Sequence, residues 1–356
     1  HPRLQVAPGG GVLKPPRLGG TAQAAGLGHL DEQLNFGKTV QTGLQFFRCA
    51  EKSFAAAPFP KLSRTFTFIE LSKNPQETNG MRNLNEDTIT QAVIERFSRT
   101  PDPRLKEIMT SLVQHLHAFA REVRLTEEEW FKGIQYLTDT GQMCSDTRQE
   151  FILLSDTLGL SMLTVAMNND KPAGCTEPTV FGPFFLEQAP EYQLGDDVAN
   201  GAKGEPCLVS GTVKGLGGEP IPNALINVWQ ADADGNYDVQ YAHLAHPQAR
   251  GILHADAQGR FHFKTILAEA YPIPSDGPVG AMLKATRNHP WRPAHLHFMI
   301  EAPGYERLIT HVFRDGDPYL DSDVVFGVRS TLIADWVKQP DGSYLLEYDF
   351  VLNPGT

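Results

Sequence analysis

A chain of 356 residues with 41% hydrophobic side chains can bury a full core, and its length suits two domains. The formal charge of -11 argues against a general nucleic-acid binder, and no apolar run approaches the roughly 18 residues needed to cross a bilayer, so neither a nucleic-acid partner nor membrane insertion is expected. Cys49, Cys144, Cys175 and Cys207 are widely spaced with no Cys-x-x-Cys pair, which suits reduced thiols and a cytoplasmic setting better than a disulfide framework or a thiolate zinc site.

Residues 1–80 differ in character from the remainder of the chain. Gly9-Gly10-Gly11, Pro15-Pro16 and Gly19-Gly20 break any helical or strand pattern, and no basic region leads into a long apolar stretch as a secretory signal requires. The first methionine is Met81, so residues 1–80 are expected to be an extension or leader outside the functional unit, although Phe66-Thr67-Phe68-Ile69 could form a strand.

A helical period then runs to about Asn169. Ile89, Val93, Ile94 and Phe97 start one apolar stripe, which Pro101 and Pro103 end. Leu105, Ile108, Leu112, Val113, Leu116, Phe119 and Ala120 carry a second, and Thr126 with Glu129 forms a capping box for a third helix. A fourth is expected to begin at Asp146 or Thr147 and continue through Leu160 to Val165. The spacing predicts a four-helix region, residues 81–170, whose stripes form core; such a region serves structure or dimerisation.

Beyond Asn169 the period changes to short alternating segments at 207–213, 224–230, 260–266, 295–300, 307–313 and 343–352, separated by turns such as Asp234-Gly235 and Asp315-Gly316-Asp317. Strands at this spacing without intervening helices predict an antiparallel sandwich or barrel over residues 171–356.

Within it, His295-Leu296-His297 is the strongest chemical signal. On a strand the two imidazoles share one face, about 6 to 7 Å apart, where neutral nitrogens can hold a metal. A bare His-x-His is equally an ordinary strand edge, and Tyr237, Tyr241, Tyr271, Tyr305, His243, His246, His254, His262, His289 and His311 all stand as further ligand candidates. No His-Glu-x-x-His helix, Gly-x-Ser-x-Gly elbow or phosphate-cradling glycine loop supports peptidase, acyl-transfer or nucleotide chemistry.

Four longer stretches narrow the choice: Thr179-Val180-Phe181-Gly182-Pro183-Phe184-Phe185, Gly235-Asn236-Tyr237-Asp238-Val239-Gln240-Tyr241, residues 271–280 from Tyr271-Pro272 to Gly280, and Arg292-Pro293-Ala294-His295-Leu296-His297. In these, over about residues 83–355, the chain resembles the intradiol ring-cleaving dioxygenases, and among them the hydroxyquinol 1,2-dioxygenases. The resemblance implies a mainly β fold, an antiparallel β-sandwich catalytic domain preceded by an all-α dimerisation domain, in a homodimer that can hold phospholipid between helices. It implies one Fe(III) per subunit on Tyr237, Tyr271, His295 and His297, with Tyr271 the displaceable ligand. Two tyrosinates suit ferric iron better than zinc.

By the same resemblance Arg292 faces the substrate, His311 replaces a glutamine of catechol-preferring relatives, and Leu153, Asp156, Val180, Phe181, Gly182, Pro183, Phe184, Ile273, Pro274 and Val325 line the pocket. A carboxylate on the otherwise apolar helix face at Asp156 suits a third ring hydroxyl. The implied reaction is cleavage of hydroxyquinol, an aromatic triol, by O2 to 3-hydroxy-cis,cis-muconate and maleylacetate. Catechol or chlorocatechol cleavage is the alternative, and a metal-free β-sandwich binding protein the second.

Overall fold

The computed structural model describes residues 81–242 and 244–355, all within one compact unit. The expectations for residues 1–80 lie outside the described residues.

Five helices come first: α1 (Ile89–Arg96), α2 (Pro103–Glu122), α3 (Glu127–Gln142), α4 (Glu150–Thr157) and α5 (Leu160–Asn168). Asp102 caps α2 by accepting from the N–H groups of Arg104 and Leu105, with Pro103 at the first position where its missing N–H costs nothing. The Thr126–Glu129 capping box opens α3 as its spacing predicts. The expected fourth helix is two, because Gly159 adopts a left-handed conformation at φ 72° and α4 and α5 meet at a bend of 75°. The apolar stripes also depart from expectation: of α2 only Val113 is buried, while Leu105, Ile108, Leu112, Leu116 and Phe119 are exposed, as are Trp130, Phe131 and Ile134 of α3. Periodicity finds an apolar face without saying what covers it. Among the described residues no single helix is long and apolar enough to cross a membrane.

Two five-stranded sheets complete the fold. One contains β10 (Trp336–Lys338), β11 (Tyr344–Glu347), β1 (Pro206–Gly215), β12 (Phe350–Leu352) and β4 (Arg260–Ile266); the other runs β3 (Arg250–His254), β2 (Leu225–Trp229), β7 (His295–Glu301), β8 (Leu308–Arg314), β9 (Ile333–Ala334). A short pair joins β5 (Tyr271–Pro272) to β6 (Trp291–Arg292), and the helix α6 (Pro278–Ala285) lies between those two strands in the chain.

The sandwich matches the alternating pattern, but its sheets are mixed rather than purely antiparallel. β1 runs antiparallel to β4 and parallel to β11 and β12, which meet its two halves in turn. Between them the Asp349 carboxylate accepts the Thr212 N–H at 2.9 Å, and a Cβ at Gly211 would collide with the Tyr348 carbonyl, so only glycine fits that approach.

The period of two explains how one sheet serves two purposes. Leu296, Phe298 and Ile300 of β7 point into the core between the sheets, with Ile226, Val228 and Val312 from the flanking strands. Each such buried side chain contributes roughly 1.5–3 kcal/mol. His295, His297 and Met299 point to the opposite face, where a second apolar cluster gathers Leu153, Met162, Val279 and Leu283 from α4, α5 and α6. The two histidines therefore lie on the outer face of this sheet, roofed by helices. Cys144, Cys175 and Cys207 are free thiols.

Candidate metal centre

Sheet register places the central histidines. His297 stands opposite Trp229 of β2 on one side and His311 of β8 on the other. Directly opposed residues share a face, so the Trp229 ring stacks on His297 at 4.6 Å between centroids and His311 meets it edge-on at 4.0 Å. The β5–β6 pair sets Tyr271 opposite Arg292. Tyr237 comes from the loop after β2. There Phe184 stacks on its ring at 4.4 Å, and Gly235, at φ 79°, passes so close to Tyr271 that a Cβ would lie 2.9 Å from the Tyr271 Cβ.

Four polar atoms converge. The Tyr237 oxygen is 3.0 Å from the Tyr271 oxygen and 2.9 Å from His297 Nε2, which lies 3.2 Å from His295 Nε2. His295 Nδ1 is 2.7 Å from the Pro293 carbonyl oxygen. Only an N–H can donate there, so the His295 lone pair is on Nε2, directed at the shared point. Arg292 Nη1 lies 3.0 Å from that nitrogen, and Arg292 is itself paired with Asp323.

Burial leaves the donor groups uncharged. Burial first, and the Arg292 charge after it, holds His295 well below the usual imidazole range; burial and then neighbouring imidazoles and Arg292 do the same to His297 and His311. All three are neutral, with lone pairs available. Burial raises both phenols, Tyr237 furthest because Tyr271 reinforces the effect, while Arg292 offsets part of it for each. Holding either as a phenolate near neutral pH requires a strong Lewis acid at the oxygens. Burial opposes the charge on Arg292, but Asp323 and the phenols more than compensate, and it stays a cation.

His295, His297 and His311 offer nitrogens within 4.8 Å of one another, a buried metal-binding cluster consistent with iron. His297 Nδ1 and His311 Nε2 are buried with no hydrogen-bond partner. Two imidazole nitrogens only 3.2 Å apart, one of them a bare lone pair, gain most by sharing a cation, and the adjoining phenol oxygens make the donor set hard enough for a trivalent ion.

The pocket candidates gather around this point. Leu153, Val180, Phe184, Ile273 and Val325 are buried in one cluster with Tyr237 and Tyr271, and Phe181 packs on its edge. Gly182, at φ 75°, lies against His297: a Cβ there would be 3.4 Å from Cε1. Asp156 is buried, its carboxyl raised by that burial against opposing contributions from Ser161 and Arg292. Pro183 and Pro274 are half-buried. His311 approaches Arg292, with Nδ1 3.4 Å from Nη2.

Other ligand candidates fall away. Tyr241 binds Asp232, Tyr305 binds Glu219, and His246, His254, His262 and His289 are exposed; His243 lies outside the described residues. Sequence reasoning missed Trp229, Asp323 and the buried Arg250–Asp238 pair, since each acquires its role from a partner remote in the chain.

A family profile described as "Dioxygenase" matches residues 180–354, and one described as "Catechol dioxygenase N terminus" matches 102–176. The chain is 68% identical over 274 residues to a 6-chlorohydroxyquinol 1,2-dioxygenase of Cupriavidus pinatubonensis, covering 77% of this chain and 99% of the relative. It is 54% identical to a hydroxyquinol 1,2-dioxygenase of Rhodococcus opacus, over 72% of this chain and 86% of that one. Among solved structures it resembles a hydroxyquinol 1,2-dioxygenase from Pseudomonas putida DLL-E4, with a TM-score of 0.70 and 46% identity over 76% of this chain and 99% of that one.

Proposed function

This chain belongs to the intradiol ring-cleaving dioxygenase family, and from that premise we propose that it cleaves hydroxyquinol, benzene-1,2,4-triol, to 3-hydroxy-cis,cis-muconate, which tautomerises to maleylacetate. Both atoms of dioxygen enter the product, so no external reductant is needed. The 6-chloro triol named for the 68% identical relative falls within the same reading. The observation that carries it is the convergence of two phenol oxygens and two imidazole nitrogens beside a fixed guanidinium.

Tyr237, Tyr271, His295 and His297 would hold one ferric ion per subunit. When bound, that ion supplies the Lewis acidity that keeps phenolates and a chelated diol deprotonated, and the electron acceptance that makes the diol reactive toward dioxygen.

The chain's own groups do the rest. The Tyr271 oxygen, next to Arg292, accepts a proton from one diol hydroxyl as the ring binds. Arg292 stabilises negative charge growing on the ring oxygen, and it does so within a water-poor cluster where a fixed cation acts strongly. His311 borders the arginine and holds its outer edge. The Asp156 carboxyl receives the third hydroxyl, which catechol lacks. Leu153, Val180, Phe181, Phe184, Ile273 and Val325 grip the ring and exclude water, with Gly182, Pro183 and Pro274 shaping the entrance. The helical part, residues 81–170, would pair with a second copy through the exposed stripe of α2, with room for phospholipid chains, leaving residues 171–356 as the catalytic part.

The test is a visible spectrum of purified, iron-loaded protein, taken without oxygen before and after hydroxyquinol and then catechol. A phenolate-to-iron band that moves to longer wavelength on diol addition supports chelation, and the diol whose complex decays faster in air is the preferred substrate. A colourless protein after iron loading, with no diol-dependent band, overturns the reading in favour of a metal-free binding domain. Faster decay with catechol overturns the triol assignment alone.

A further inference from the structure

Arg292 is almost wholly buried, yet a guanidinium on a flexible stem has no intrinsic reason to keep one orientation. Asp323 supplies that reason. Arg292 Nε donates to Asp323 Oδ1 at 3.1 Å and Nη2 to Oδ2 at 3.2 Å. The guanidinium cannot turn about its Nε–Cζ bond without breaking this two-point contact, and the one nitrogen left over, Nη1, is the one that reaches His295 Nε2.

The carboxylate is itself fixed by a tight turn. Its Oδ1 accepts the Val325 N–H at 3.3 Å and its Oδ2 accepts the Gly327 N–H at 3.0 Å. The Gly327 carbonyl in turn accepts the Thr179 hydroxyl at 2.7 Å. Thr179 adjoins Val180, and Val325 belongs to the same cluster as the two tyrosines, so one carboxylate ties the cation to two walls of the pocket. Gly327 is tightly enclosed there. A Cβ at that position would lie 3.0 Å from Thr179 Oγ1, 3.1 Å from Arg292 Nη2 and 3.2 Å from Asp323 Oδ2.

We infer that Asp323 is a positioning residue for ring cleavage, fixing the plane and reach of the Arg292 guanidinium, and that Gly327 is the clearance that lets the pair close flat. This rests on the reading in which Arg292 faces the bound triol. Asp323 acts through Arg292 and touches neither substrate nor metal.

The test uses full-length, iron-loaded protein carrying Asp323→Asn, Gly327→Ala, Arg292→Gln, or Asp323→Asn together with Arg292→Gln. Asp323→Asn sets an amide nitrogen against donors on one side, and Gly327→Ala leaves every charge in place while crowding the same contact. Each of these two is expected to lower kcat on hydroxyquinol by roughly 10- to 100-fold, the scale of a reacting group displaced by about an ångström. Iron content, the phenolate-to-iron band before diol, and the anaerobic affinity for hydroxyquinol read from that band stay within about threefold of wild type. In the Arg292→Gln background Asp323→Asn costs no further kcat, because the group it positions is gone.

Wild-type kcat in both single variants at full iron occupancy overturns the inference, and so does an undiminished loss in the Arg292→Gln background. Should Asp323→Asn not fold, Gly327→Ala decides alone. Absence of turnover and of a diol-dependent band in the wild type is a different result, which removes the functional reading itself.

Discussion

Replacing Arg250 by methionine removes the cation that secures the Tyr237 loop. Arg250 is 2% exposed at the start of β3; its Nε donates to Asp238 Oδ2 at 2.7 Å, its Nη2 to Oδ1, and its Nη1 to the Phe184 carbonyl at 3.0 Å. It therefore holds the residue after Tyr237 and the residue stacked on Tyr237 in one grip. Methionine fills much of the volume but leaves a buried carboxylate with only the backbone N–H groups of Val239 and Gln248, and a carbonyl without its donor. Breaking a buried pair from one side costs about 3–5 kcal/mol, and the two remaining N–H bonds put the expected loss near the lower figure, about 3 kcal/mol. Against a typical total of about 5–15 kcal/mol the protein still folds. Urea unfolding of the iron-free variant measures the loss, and the phenolate-to-iron band of the loaded variant, weakened or displaced, reports the Tyr237 oxygen. Adding Asp238→Leu should recover most of the stability, since the stranded charge is then gone. A single variant losing under about 1 kcal/mol, or a double variant no better than the single, refutes this account of the pair.

Asp156→Leu should lower kcat/KM for hydroxyquinol by about 10- to 100-fold, the value of a hydrogen bond to a buried carboxyl, while catechol cleavage holds or improves; equal losses on both diols count against a role in reading the third hydroxyl. Iron removal exposes a pH dependence. His295, His297 and His311 are held neutral by burial, so below about pH 6.5 the unfolded chain binds protons that the native one does not. Stability of the iron-free protein is full above that pH and should fall below it by up to about 1.4 kcal/mol per pH unit for each imidazole. Urea midpoints between pH 7 and 5 measure it, and a flat profile contradicts the neutral assignment. Iron at 100 times its dissociation constant should add about 2.7 kcal/mol at pH 7.

Some of this was legible in the residues. The alternation of His295, Leu296, His297 and Phe298 gives both the strand and its two faces, and Thr126 with Glu129 announces a helix start, because both signals are local. Leu158-Gly159 hid a sharp bend inside what reads as continuous apolar helix, since a left-handed glycine leaves little trace in periodicity. Tyr237 and Tyr271 have no distinctive spacing and stand out only within the longer motifs around them, whereas Asp156 is marked by being a carboxylate on an otherwise apolar helix face. Asp323 sits in Asp321-Ser322-Asp323, which reads as solvated turn until the partner 31 positions earlier is known. The apolar stripe of α2 is legible by its period, but a period does not tell a buried face from one that is exposed among the described residues.

The placement of β1 has a consequence for the order in which the molecule assembles. Its companions β11 and β12 come from far along the chain, and the Thr212–Asp349 bond at the seam spans 137 positions. Loops of that length close late, whereas β7 and β8 are neighbours that can pair early. The strands that carry His295, His297 and His311 can thus find one another while the opposing sheet still lacks three of its members, β10, β11 and β12. During that interval Val209 and Val213, fully buried in the finished protein, face water beside an unpaired backbone edge. The edge of β1 is accordingly a place where a newly made chain can aggregate, and a substitution near residue 350 is expected to lower the yield of folded protein while leaving every residue of the metal centre untouched.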